Sequence, residues 1–154
     1  MGQLADRVAV VTGASTGIGQ SIATTFAREG AKVVLAARRR EPLESLAKQI
    51  EAAGGIALAV PTDVTVEAQV RALFDRALEA FGRVDILVNN AGIAIGKPTD
   101  ELSLEDWRRV IDCNVTGAFL CSREAFRIMK RQKGGRILNI GSVSAKVPRP
   151  HSAA

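Results

Sequence analysis

Short, wholly apolar runs alternate with helical periodicity along the whole chain. Residues 8–11 are apolar at every position, as a strand buried on both faces reads. Ile18, Ile22 and Phe26 then recur every four residues and predict one apolar helix face, closed by Gly30. Residues 32–36 form the next strand. Leu43, Leu46, Ala47 and Ile50 mark a second helix, with Pro42 in its first turn and Gly54-Gly55 at its stop. Residues 56–60, bounded by Pro61, predict a third strand. Val66, Val70, Leu73, Phe74, Ala77, Leu78 and Phe81 make the strongest amphipathic helix, ended by Gly82. A fourth strand covers 84–88. A loop through Gly92, Gly96 and Pro98 leads to a helix around 103–111, with Trp107 as its packing anchor. A longer helix follows over about 114–130, and a fifth strand over 136–140.

This alternation predicts an α/β fold: a Rossmann-like, doubly wound parallel sheet of about five strands with helices on both faces. No repeat or linker divides the chain, so residues 1–154 are read as one domain. Residues 147–151, with two prolines, read as extended loop.

Composition narrows the class. Apolar residues make up 47% and charged residues 24% of the chain, an ordinary globular mixture with no run long enough to span a bilayer. The N-terminus has no signal-type apolar core, and a cytoplasmic protein is the expectation. Cys113 and Cys121 match neither a zinc pair nor a redox dithiol, and are read as buried helical thiols. The net charge is +5, with basic residues at Arg38–Arg40 and again between Arg127 and Arg136. The second cluster falls at a helix end, where cations suit the macrodipole. There are no interleaved aromatic residues and no tyrosine, so nucleic acid is not an expected partner.

The first candidate chemistry lies between the first strand and first helix: Thr12-Gly13-Ala14-Ser15-Thr16-Gly17-Ile18-Gly19. Glycines there let the backbone turn tightly and approach a pyrophosphate, and the helix N-terminus behind them offers N–H donors and a positive dipole end. Gly13, Ser15, Thr16, Gly17, Ile18 and Gly19 are therefore coenzyme-binding candidates. An acid gripping the ribose 2′-hydroxyl of NAD would stand about 20 residues further on. This chain instead has Ala36-Ala37-Arg38-Arg39, and an arginine can pair with a 2′-phosphate. NADP(H) is thus favoured over NAD(H), with Arg38, closest to the strand end, as the discriminating residue. A solvated helix entry would be the alternative role.

Taken together, these residues resemble the short-chain dehydrogenase/reductase family. The turn at 12–19 matches its coenzyme turn, and Asp63-Val64 its adenine-contacting pair. Asn89-Asn90-Ala91-Gly92 matches the stretch that lines the coenzyme and steadies the sheet. Asn114 matches the asparagine holding a proton-relay water, and Ser142 the catalytic serine. Asp63 could instead cap the following helix, although Thr65 suits that cap better. Asn89 and Asn90 could be turn residues only. Ser144 is the rival to Ser142, and His151 reads as a solvated loop histidine.

The resemblance implies hydride transfer between a nicotinamide and a carbonyl or alcohol carbon. The serine hydrogen-bonds the substrate oxygen, a tyrosine moves the proton, and a lysine four residues later tunes that tyrosine. In the family this Tyr-x-x-x-Lys helix starts shortly after a stretch like 147–154. The expectation is an incomplete NAD(P)-binding domain, lacking the family's last strands and helices, its catalytic Tyr and its Lys, and inactive alone. The fifth strand would then be an edge, with Phe119, Leu120 and Phe126 exposed and aggregation favoured. The family also suggests a homo-oligomer. The alternative is a catalytically inactive nucleotide-binding short form that pairs with another chain.

Overall fold

The computed structural model describes residues 2–142 and Val147. Its elements follow the alternation: β1 Val8–Thr12, α1 Gly17–Arg28, β2 Lys32–Ala37, α2 Arg40–Ala52, β3 Ile56–Pro61, α3 Glu67–Phe81 and β4 Ile86–Asn89. After them come α4 Leu104–Ile111, a π-helical turn Asp112–Thr116, α5 Gly117–Gln132 and β5 Arg136–Asn139. The strands form one sheet in the order β3-β2-β1-β4-β5, every pair parallel. The chain moves outward from β1 through β2 to β3, then crosses back to β4 and β5. The direction therefore reverses between β1 and β4, and a crevice opens there at the carboxyl ends.

Side-chain alternation divides the core in two. Val8, Val10 and Val34 point with Leu87 towards α3 and α5, where Val70, Leu73, Phe74, Cys121 and Ala125 meet them. Val11, Val33 and Leu35 point to the other face, against Ala23 and Ala27 of α1 and Leu43, Leu46 and Ile50 of α2. Both central strands are buried on both sides, which is why their sequences carry no polar alternation. The outer strands β3 and β5 are only half-buried. Pro61, lacking an N–H, ends β3 at the sheet edge, where no ladder bond is lost.

Several expectations need correction. The fully buried row of α1 is Gly19, Ala23 and Ala27, while Ile22 and Phe26 of the expected face are half-buried and pack against the same core. Small residues let the helix sit close to the sheet, and Ile18 is turned out, 63% exposed. Val66 is the N-cap of α3, not part of its apolar face. The two helices expected after β4 are one continuous run joined by the π-helical turn, with helical backbone at every junction. Trp107 is exposed and anchors no core, and Leu120 is buried at 7%. Phe119 and Phe126 are exposed as expected, and among the described residues β5 is an edge strand. No helix among the described residues is long and apolar enough to cross a membrane.

Candidate active site

At the crevice the turn after β1 is shaped by contacts that exclude side chains. Gly13 has φ +64°, and a Cβ on it would lie 2.8 Å from Asn90 Nδ2. A Cβ on Gly19 would run into the Gly13 carbonyl oxygen and Asn90 Nδ2. Gly17 also has positive φ, yet faces open space. The turn is locked from β4. Asn90 Nδ2 donates to the carbonyls of Thr12 (3.0 Å) and Gly13 (3.2 Å). The buried Thr12 hydroxyl accepts from the amides of Asn90 and Ala91, each at 3.0 Å, and donates to the Val88 carbonyl.

The N-terminus of α1 opens into this crevice. Thr16, its N-cap, makes no side-chain capping bond, and the first turn has no acidic residue. The first turns of α2, α3 and α4 all carry acids, and Ser103 caps α4. The first amides of α1 are thus free to receive an anion, where a diphosphate would meet bare backbone.

A cavity of about 900 Å³ runs from this turn across the carboxyl ends of β1, β2 and β3 to α4. Gly13, Ser15, Thr16, Ile18, Arg38, Asp63, Val64, Asn90, Ala91 and Gly92 all line it. Gly17 and Gly19 shape the turn without lining it, and Asn114 and Ser142 also lie outside its wall. Arg38 and Arg39 are exposed there, and among the described residues neither pairs with a carboxylate. Asp63 is not the helix cap. Its Oδ1 accepts from the amide (3.0 Å) and hydroxyl (2.8 Å) of Thr65, and its own amide donates to Gln69 Oε1. Thr65, the expected cap, is held in that turn one residue before the N-cap Val66. Val64 packs on Gly117, where a Cβ would stand 2.7 Å from Val64 Cγ2.

Asn114 sits in the π-helical turn and clasps the loop after β4. Its Oδ1 accepts from the Ile93 amide (2.8 Å) and its Nδ2 donates to the Ile93 carbonyl (2.9 Å). Asn89 is no simple turn residue: its Nδ2 donates to Ser122 Oγ (2.9 Å) and to Asn139 Oδ1 (2.8 Å), tying β4 to α5 and β5. Ser142 follows β5 at the same sheet edge and is exposed. Ser144 and His151 lie outside the described residues.

Sequence reasoning missed the α4 wall: Arg109, Asp112 and Cys113 also line the cavity, as do Arg39, Thr62 and Ile93. Nothing in the glycine turn signals that wall, because it is built by a helix about 95 residues later and by the π-helical turn that rotates it. Burial pushes the Cys113 thiol up, with the charges of Arg38 opposing and Asp63 reinforcing that shift. The Lys97 ammonium, 2.7 Å from Asp106, holds the Asp106 carboxyl below the usual range.

A parallel sheet with a switch-point crevice, a bare-backbone turn and an uncapped helix N-terminus is the arrangement at which doubly wound α/β proteins bind dinucleotides. The comparisons are narrower. The family model described as short chain dehydrogenase matches residues 7–154, and the chain belongs to that oxidoreductase family. It is 45% identical to 3beta-hydroxysteroid dehydrogenase 1 of Eggerthella lenta, over 97% of this chain and 58% of that protein. It is 42% identical to a 3-oxoacyl-acyl-carrier-protein reductase of Synechocystis, over 99% of this chain and 62% of that protein. Among solved structures, a short-chain type dehydrogenase/reductase from Mycobacterium marinum superposes with a TM-score of 0.92 at 40% identity. That match covers 95% of this chain and 60% of the other. The chain therefore spans about 60% of the length of these relatives. The family implies a nicotinamide dinucleotide and a small-molecule substrate.

Proposed function

We propose that residues 1–154 are the coenzyme-binding domain of an NADP(H)-dependent oxidoreductase acting on a carbonyl or alcohol substrate. The observation that carries the reading is the cavity itself: bare backbone amides along it and two guanidinium groups, Arg38 and Arg39, that pair with no carboxylate among the described residues, where an NAD-type site would carry an acid. In this reading the amides behind Ser15, Thr16 and Ile18 receive the diphosphate, with Gly13, Gly17 and Gly19 keeping side chains out of its path. Asp63 and Val64 flank the adenine. Asn90, Ala91 and Gly92 form the floor, and Arg38 pairs with the 2′-phosphate.

When bound, the nicotinamide supplies or accepts the hydride. Ser142 donates a hydrogen bond to the substrate oxygen, and Asn114, fixed on Ile93, holds the relay water. The family's general acid is a tyrosine, and the 154 residues contain none. Coenzyme binding without turnover is therefore expected of this chain by itself, since a missing general acid alone slows proton transfer by about 10²- to 10⁴-fold. Nothing in the family match supports an inactive short form that pairs with another chain. Two free thiols fit a reducing, cytoplasmic setting.

Calorimetric titration of the chain with NADPH and NADH tests the proposal. NADPH should bind more tightly, and Arg38→Ala should weaken NADPH by about 10- to 100-fold, the scale of a hydrogen bond to a charged group, while sparing NADH. Folded protein with no affinity for either dinucleotide would overturn the coenzyme assignment. Tighter binding of NADH would overturn the NADP(H) preference.

A further inference from the structure

We infer that Arg109, which lines the same cavity as Arg38 from the α4 wall, is a second specificity residue for NADP(H). The inference rests on the coenzyme reading above. Arg109 and Arg38 line the same cavity from different elements, one on α4 and one at the end of β2. Cys113, four residues after Arg109, lines that wall too, and the Arg38 charge reaches its thiol. Arg109 and Cys113 thus stand on one wall of the cavity, and Arg38 borders that wall. Asp63, placed on the adenosine side by the coenzyme reading, also acts on that thiol.

The Arg109 guanidinium has little else to hold it. Its one carboxylate partner among the described residues is Asp106, at 3.3 Å. Asp106 is already committed, accepting from Lys97 Nζ at 2.7 Å with its other oxygen, while its amide donates to Ser103 Oγ. One carboxylate thus serves two cations, and Arg109, with a side chain 61% exposed, is the longer and looser pair. A phosphate dianion entering the cavity offers it a better acceptor without leaving a buried charge behind, because Lys97 still neutralises Asp106. Asp63 and Asp112 also line the cavity. Asp63 is turned into its bonds with Thr65, so its carboxylate is already accepting two hydrogens before any ligand arrives.

The test uses the 154-residue chain, its Arg109→Gln and Arg109→Lys variants and Arg38→Ala, each titrated with NADPH and NADH after a thermal melt establishes folding. Arg109→Gln is expected to weaken NADPH by about fivefold, the upper end for one solvent-facing ion pair, and to change NADH by less than about twofold. Arg109→Lys should recover most of the loss, and raised ionic strength should shrink the difference. If Arg38→Ala changes the NADPH-to-NADH ratio and Arg109→Gln does not, the role given to Arg109 is wrong and the coenzyme reading stands. If the parent chain binds the two dinucleotides equally, the NADP(H) preference and the role of Arg109 fall together, while the dinucleotide site stands.

Discussion

The two edges of the sheet use polar residues in opposite ways. At the amino edge of β1 and β4 the buried charge is matched inside the protein. The buried Asp85 carboxylate accepts from the Val8 amide, from Arg83 through two nitrogens and from Arg7. Gln132 of α5 clips residue 84 from both sides, accepting from its amide at 3.0 Å and donating to its carbonyl at 2.9 Å. At the carboxyl edge the neutral side chains Thr12, Asn90 and Asn114 are held by backbone, yet among the described residues Arg38 and Arg39 pair with no carboxylate and no side chain caps the amides of α1. The same sheet therefore has one edge whose chemistry is complete and one whose chemistry is rigidly held but open. A ligand site needs that second combination.

The strongest way to break this contrast is to fill the turn. Gly19→Val would drive a branched side chain into the Gly13 carbonyl and the Asn90 amide, neither of which can retreat without unlocking β4. A cost of about 3 kcal/mol or more in urea unfolding is expected, with NADPH binding lost. Gly17→Ala is the control: its Cβ meets nothing within 4 Å. Only the left-handed backbone penalty of about 1–2 kcal/mol should appear. Equal costs for the two variants would mean that the close approach at Gly19 is not what shapes the turn. Next in size is Thr12→Val, which removes the hydroxyl that the Asn90 and Ala91 amides share. About 2–4 kcal/mol should be lost, because two inward-facing donors are left unsatisfied.

Legibility in the sequence follows the same division. β1, β2 and α2 could be read residue by residue, because burial on both faces or one strict apolar stripe leaves no other pattern available. The glycine turn was legible because its shape is local. At α1 the periodicity reaches Ile22 and Phe26, which pack on the core, but not the fully buried Gly19, Ala23 and Ala27, because close packing of a helix on a sheet selects small residues that carry little periodic signal. The join of α4 to α5 was missed because a π-helical turn shifts the register of the apolar face without any breaker residue in Asp112-Cys113-Asn114-Val115-Thr116. The α4 wall of the cavity, with Arg109 and Cys113, depends on that shift and on tertiary placement, so no spacing rule could reach it.

The amino edge should respond to acid and leave the ligand site alone. Burial by itself would raise the Asp85 pKa, but hydrogen bonds from Arg83, Val8 and Arg7 outweigh it and hold the carboxyl below its ordinary 3.8. A depressed folded-state pKa stabilises the fold above the unfolded value and loses that stabilisation as pH falls through the folded one. Melting temperature should therefore fall along an acid limb below pH 3.8 that Asp85→Asn flattens. At neutral pH the variant should cost about 1–3 kcal/mol, with NADPH affinity unchanged. A parallel loss of affinity would show that the two edges are coupled and the contrast too simple.

The smallest expected effect is a labelling rate, and it locates the boundary between the open site and the closed core. Cys121 lies buried between sheet and α5 with its thiol pushed up to about 12 by burial, so a thiol reagent at neutral pH should not label it in the folded chain. Cys113, half-buried in the cavity wall, should label slowly. Bound coenzyme would cover it, so NADPH at ten times its Kd should slow Cys113 labelling by about 11-fold, the factor 1 + [L]/Kd for a site blocked when occupied. Unchanged labelling under NADPH saturation would place the dinucleotide away from the α4 wall. That result would count against Arg109 as a contact while leaving the amides of α1 as the diphosphate site.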